Sequence, residues 1–180
     1  MLEKQNYTHN RAIDLKGAYP DGYINGQGVG AVADMMYGYF HMAWNGCEMI
    51  ALYNAMVALG RPADLAEISL EMYPKSAVAW GFFGSNPLVL DRYFKAHGIP
   101  CQKTYRFDSF FDALPLHRCG VPSFWNHRRV FGSLHTVMVK WQDGQIVEYN
   151  KSNGRAYPVP HDTRSLITSK KLFIVGYLVD

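Results

Sequence analysis

The chain has 180 residues, of which 48% are hydrophobic and 18% charged, the composition of one globular domain; a disordered or fibrous protein is excluded. Eighteen basic residues against fifteen acidic ones leave a net charge of +3, and the basic side chains are scattered except for His127-Arg128-Arg129 and Lys170-Lys171, so no nucleic-acid partner is expected. No apolar run approaches the roughly 20 residues that a membrane-spanning helix needs, so no membrane partner is expected either.

The chain begins with the polar run Leu2-Glu3-Lys4-Gln5-Asn6 and not with a signal-peptide pattern. Its three cysteines, Cys47, Cys101 and Cys119, cannot all pair and lack Cys-x-x-Cys spacing. Both features point to a reduced, cytoplasmic protein, or to one exported by a route that leaves no signal-peptide pattern.

Residues 1–43 are rich in Gly, Tyr, Asn and Asp, with breaks at Ala18-Tyr19-Pro20-Asp21-Gly22 and Gly26-Gln27-Gly28-Val29-Gly30, and are expected to form an irregular arm on a domain spanning 44–180. The glycine cluster superficially matches a dinucleotide fingerprint. No apolar strand precedes it and no βαβ unit follows, so a loop is expected and no cofactor.

Asn45-Gly46 is a turn dipeptide and Gly60-Arg61-Pro62 a stop signal, which brackets a helix of about three turns opening at Cys47. Small or apolar residues surround the whole cylinder (Ile50, Ala51, Leu52, Ala55, Met56, Leu59), so the helix is expected at the centre of the fold. Free cysteine usually packs as a small hydrophobe, but a thiol at a helix N-terminus can ionise near neutral pH if a base lies beside it.

Asp64-Leu65-Ala66-Glu67 has the form of a capping box and predicts a helix to about Tyr73, ahead of Pro74. The aromatic stretch Ala79-Trp80-Gly81-Phe82-Phe83-Gly84 predicts a loop, with Trp80, Phe82 and Phe83 as candidate substrate-binding residues. Ser85-Asn86-Pro87 then caps a helix that stops at Gly98.

The period changes to two beyond that point. Cys101–Phe107 and Val121–Asn126 are predicted strands flanking a short helix capped by Ser109 and running to about Leu116. Leu134–Trp141, a turn at Asp143-Gly144, and Ile146–Asn150 form the strongest hairpin signal in the chain, and Lys171–Val179 adds a last strand. The fold class is therefore α+β, with helices first and an antiparallel sheet after them.

His135 begins its strand in line with Val137, Val139 and Trp141, an apolar stripe expected to face the helices. A lone histidine there is commonly a core residue. A cysteine opening a buried helix, a histidine opening a strand and an Asn on the next strand together supply a nucleophile, a base and an orienter.

On these motifs, over roughly residues 44–179, the chain resembles the papain-like cysteine peptidases, especially the bacterial branch that includes the bacteriocin-leader (double-glycine) peptidases. Asn45-Gly46-Cys47, Gly120-Val121-Pro122-Ser123-Phe124, His135-Thr136-Val137-Met138-Val139 and Asn150-Lys151-Ser152-Asn153-Gly154 carry the resemblance. It implies a papain-like fold, Cys47 as nucleophile, His135 as base and then acid, Asn150 as orienter, and a peptide or protein substrate.

The family commonly has a Gln a few residues before the cysteine as oxyanion donor; here the nearby residues are His41 and Asn45, and Asn45 is the candidate. Asn45 serves equally as a plain turn former. Three alternatives stay open: a cell-wall amidase with related chemistry, a papain-like module without turnover that binds a peptide, and metal binding through the only close pair, His117 and Cys119.

A hairpin pivoting on Asp143-Gly144 sets Val139 opposite Glu148 and Val137 opposite Asn150, so Asn150 and not Glu148 is the diagonal neighbour of His135. The expected contact is the imidazole N–H donating to the Asn150 side-chain amide.

Overall fold

The computed structural model describes residues 1–16, 18–19, 21–61, 63–125, 134–151 and 172–180, together with the backbone of 159–161. The two basic clusters, Asn126 and Ser152-Asn153-Gly154 lie outside the described residues. The fold is α+β, with six α-helices and an antiparallel sheet among the described residues.

The first 43 residues are not irregular throughout. Helix α1 (Leu2–Arg11) opens the chain, a 3₁₀ turn covers Ala31–Asp34, and the strands β1 (Met36–Tyr37) and β2 (Phe40–His41) form a ribbon. Asn10, buried on α1, exchanges two hydrogen bonds with the backbone of Met36 at 2.7 and 2.9 Å, doing with an amide side chain what a neighbouring strand would do. That long-range pairing leaves no periodic signature in the sequence.

A four-residue helix, α2 (Met42–Asn45), leads through Gly46 into α3 (Cys47–Ala58). A Cβ on Gly46 would lie 2.7 Å from Met42 Cβ, so the close α2–α3 junction requires glycine. Helix α3 ends as expected, with Gly60 at φ 69° and the Arg61 N–H capping the Met56 carbonyl.

Met49, Ile50, Ala51, Leu52 and Ala55 of α3 are fully buried. Each of the larger ones contributes roughly 1.5–3 kcal/mol by leaving water. Asn54 closes the third side of the helix by exchanging two hydrogen bonds with the backbone of Ile24 at 2.8 and 2.9 Å.

Helix α4 (Leu65–Ser76) starts where expected, with Asp64 Oδ1 accepting from Ala66 N at 2.7 Å, but it runs through Pro74 to Ser76. Proline here removes one intrahelical bond within the last turn, and the Ala77 N–H bonded to Tyr73 O keeps that turn closed. Asn86 accepts from Leu88 N at 2.9 Å and opens a 3₁₀ turn that continues into α5 (Asp91–Ala96).

Strand β3 (Cys101–Thr104) is shorter than predicted, and α6 (Phe107–Ala113) starts before Ser109, which does not cap it. Thr104 Oγ1 accepts from Arg106 N at 3.1 Å and turns the chain early, so that Phe107, Phe110 and Phe111 share one helix face.

The main sheet contains β4 (Cys119–Trp125), β5 (Leu134–Thr136), β6 (Met138–Gln142), β7 (Gln145–Tyr149), β8 (Val159–His161) and β9 (Leu172–Val179). Its order is β3-β9-β4-β6-β7-β8, with β5 also on β4, and every described pairing is antiparallel. The β6–β7 register follows the expected one, Gln142 opposite Gln145 and Val139 opposite Glu148, with Asp143 and Gly144 both at positive φ.

The predicted strand 134–141 is interrupted at Val137. Val137 N bonds to Pro122 O at 3.2 Å, but proline has no N–H to return the bond, so the ladder breaks there into β5 and β6. Helix α3 packs on β4, β5 and β6.

Candidate active site

Cys47 is the first residue of α3 and is buried. Its sulfur faces two backbone donors, the N–H of Glu48 at the helix start and the N–H of Thr136 on β5, and both favour the thiolate. Burial outweighs them, and the adjacent Glu48 carboxylate, which accepts from Sγ at 3.0 Å, adds to it. The thiol is thereby pushed well above its ordinary range, against the sequence expectation of a thiol made acidic by its helix position.

Glu48 is the residue beside Cys47 that sequence reasoning missed. An acidic residue in the first turn of a helix reads as ordinary dipole compensation. Here the side chain turns inward and is 1% exposed. It accepts from Cys47 and, at 3.4 Å, from Thr136 Oγ1, which lies 2.8 Å from Ser123 Oγ. Burial raises the Glu48 carboxyl to about 7 in spite of these donors.

His135 is also buried, but it does not share a face with α3. It stands opposite Phe124, with ring centroids 5.8 Å apart, on the side where Val137 and Val139 pack with Phe110 and Phe111 of α6. The α3 side carries Thr136 and Met138. Cys47 therefore meets β5 edge-on, at Thr136, and not across a sheet face.

The imidazole Nε2 lies 2.8 Å from the main-chain carbonyl of Asn150. A carbonyl can only accept, so Nε2 carries the proton and Nδ1 is the acceptor nitrogen of the neutral ring. The expected contact from the Asn150 side chain is thus corrected: residue 150 orients the ring through its backbone.

The side chain of Asn150 goes elsewhere. Its Oδ1 accepts from Gln27 N at 2.9 Å and its Nδ2 donates to Gln27 Oε1 at 3.1 Å, while its own N–H donates to Asn25 Oδ1 at 3.0 Å. Neither Asn25 nor Gln27 stands out in the sequence, because both sit in the glycine-rich stretch that reads as a loop.

Asn45 does not fit the oxyanion role. Its amide nitrogen donates to Tyr37 O at 2.8 Å and to Gly81 O at 2.7 Å, which engages both of its N–H groups. What Asn45 does is fasten the loop 79–84 to the approach of Cys47. His41, the other nearby residue, is exposed, with Nδ1 3.3 Å from Asp34 O.

In that loop Trp80, Phe82 and Phe83 are 68%, 56% and 72% exposed, far more than packing requires. Phe82 makes edge contacts with Phe40 and Phe83, and Ala79 and Trp80 both hold positive φ. His117 is bonded to the Asp180 carboxylate at 2.7 Å, and among the described residues no three metal-ligating side chains cluster.

No family model matches the chain, and no curated protein matches it.

Proposed function

We propose that the chain is a cysteine peptidase or amidase in a papain-like arrangement, with Cys47 as nucleophile and His135 as base. The observation that carries the reading is the pairing of a helix-opening thiol with the β5 edge at Thr136, next to a histidine whose Nε2–H is held by a carbonyl.

In the proposed cycle His135 Nδ1 takes the Cys47 proton as Sγ attacks the carbonyl carbon of the substrate. The tetrahedral oxyanion collapses, the C–N bond breaks, and the leaving amine takes the proton from His135. Water then attacks the thioester, giving its proton back through His135, and the carboxylic acid leaves as the thiol re-forms. The substrate is a peptide or protein, with Trp80, Phe82 and Phe83 as the apolar side of its groove. Three unpaired cysteines fit a reducing compartment such as the cytoplasm.

One observation favours a second reading, a peptide-binding module without turnover: the thiol is buried, and a carboxylate beside it opposes its ionisation. Labelling with a peptide-like thiol electrophile separates the two. A hydrolase is expected to be modified at Cys47 at a rate that drops at least about 10²-fold in His135→Ala. Equal labelling of wild type and His135→Ala rejects the hydrolase.

A further inference from the structure

We infer that Asn25 and Gln27 of the N-terminal segment are positioning residues that hold Asn150 in the backbone conformation whose carbonyl fixes the His135 ring. The inference rests on the reading of His135 as the base and adds a part to it from the segment farthest away in sequence.

Asn150 follows β7 at φ 62°, a left-handed conformation that asparagine tolerates better than most residues but that its sequence alone does not impose. Its hydrogen-bonding groups show what selects it here. The N–H is taken by Asn25 and both ends of the side chain by Gln27, so that only the carbonyl points outward, to His135 Nε2.

Asn25, Gln27 and Asn150 are 3%, 3% and 0% exposed, so these bonds are shielded from competing water. Gln27 also reaches Ala43 O of α2 at 3.2 Å, which links the clamp to the element leading into Cys47. One glutamine thereby touches the mount of the base and the mount of the thiol.

The physical consequence is a fixed tautomer. With the Asn150 carbonyl in place the proton of the neutral ring is held on Nε2; if residue 150 relaxes, that hold on the tautomer is lost.

The test is the ¹⁵N NMR spectrum of histidine-labelled protein together with the rate of Cys47 alkylation by iodoacetamide. Wild type is expected to show His135 as the Nε2–H tautomer in its neutral form. Gln27→Met preserves side-chain length and removes the side-chain bonds; Asn150→Gly accepts the positive φ and removes the same ties from the other end.

Both variants are expected to show mixed tautomers and alkylation slowed roughly tenfold or more. An unchanged Nε2–H signal in the variants, or an Nδ1–H tautomer in wild type, overturns the inference, and Asn150→Gly, whose backbone tolerates the positive φ, decides where Gln27→Met does not fold. Mixed tautomers in the variants, combined with wild-type labelling in His135→Ala, uphold the clamp while rejecting the hydrolase.

Discussion

Replacing Glu48 by Gln tests the electrostatics of the site without touching the proposed base. The carboxyl is raised from its ordinary 4.5 to about 7 in the folded chain, mainly by burial. Between those values the folded state holds a proton that the unfolded state has released. The stability this supplies is complete below about pH 4.5 and is lost as the pH rises through 7. A shift of about 2.5 units at about 1.4 kcal/mol each gives a loss of roughly 3 kcal/mol across that window.

Glutamine has no proton to lose and, like the protonated carboxyl, offers one carbonyl oxygen as a full acceptor, so the two side chains are close to equivalent where Glu48 is protonated. Glu48→Gln should therefore gain on wild type as the pH rises, by about 2.5 kcal/mol between pH 5 and pH 8. Urea unfolding of both proteins at pH 5, 6, 7 and 8 reads the difference, and the other titrating groups cancel in it. Curves that stay parallel across this range would refute the assignment of Glu48 as a buried carboxyl of raised pKa.

The same substitution removes the anion that opposes thiolate formation, so iodoacetamide should alkylate Cys47 several-fold faster at pH 8 in Glu48→Gln than in wild type; a slower reaction would mean that the carboxylate assists the thiol. Asn45→Ala leaves the Tyr37 and Gly81 carbonyls without their donor and is expected to cost roughly 2–4 kcal/mol in urea unfolding, whereas a cost below 1 kcal/mol would show that water replaces the amide. In Gly176→Ala the new Cβ would lie 2.4 Å from the Phe110 ring, so a loss of about 1–3 kcal/mol and a displaced α6 are expected, and an unchanged midpoint would show that Phe110 has room to move.

What was legible in the sequence is what short-range physics controls. The opening of α3 at Cys47, its closure at Gly60, the caps at Asp64 and Asn86 and the Asp143-Gly144 hairpin depend on a few neighbouring residues, and their positions hold in the structure. What was not legible depends on partners far along the chain. Asn10 pairing with Met36, Gln27 with Asn150 and Glu48 with Thr136 are side-chain bonds across 26, 123 and 88 positions, and no periodicity announces them. The face of His135 was misread because α3 and α6 pack on opposite sides of one sheet, and an apolar stripe on β6 fits either side equally well.

The site itself arises where the regular structure gives way. Pro122 cannot return a bond to Val137, which ends the run of β5, and Asn150 turns left-handed, which ends β7. The β6–β7 ladder consequently stops at the Met138 and Tyr149 pair. Since Val137 donates to β4, alternation along the strand points the Thr136 N–H the other way, past the end of β7 and toward Cys47. Had the hairpin run two residues further, to set Thr136 opposite Lys151, that N–H would bond to β7 instead of facing Cys47. A missing donor on β4 and a left-handed residue after β7 together open the sheet edge at which α3 sets the Cys47 thiol against the Thr136 N–H.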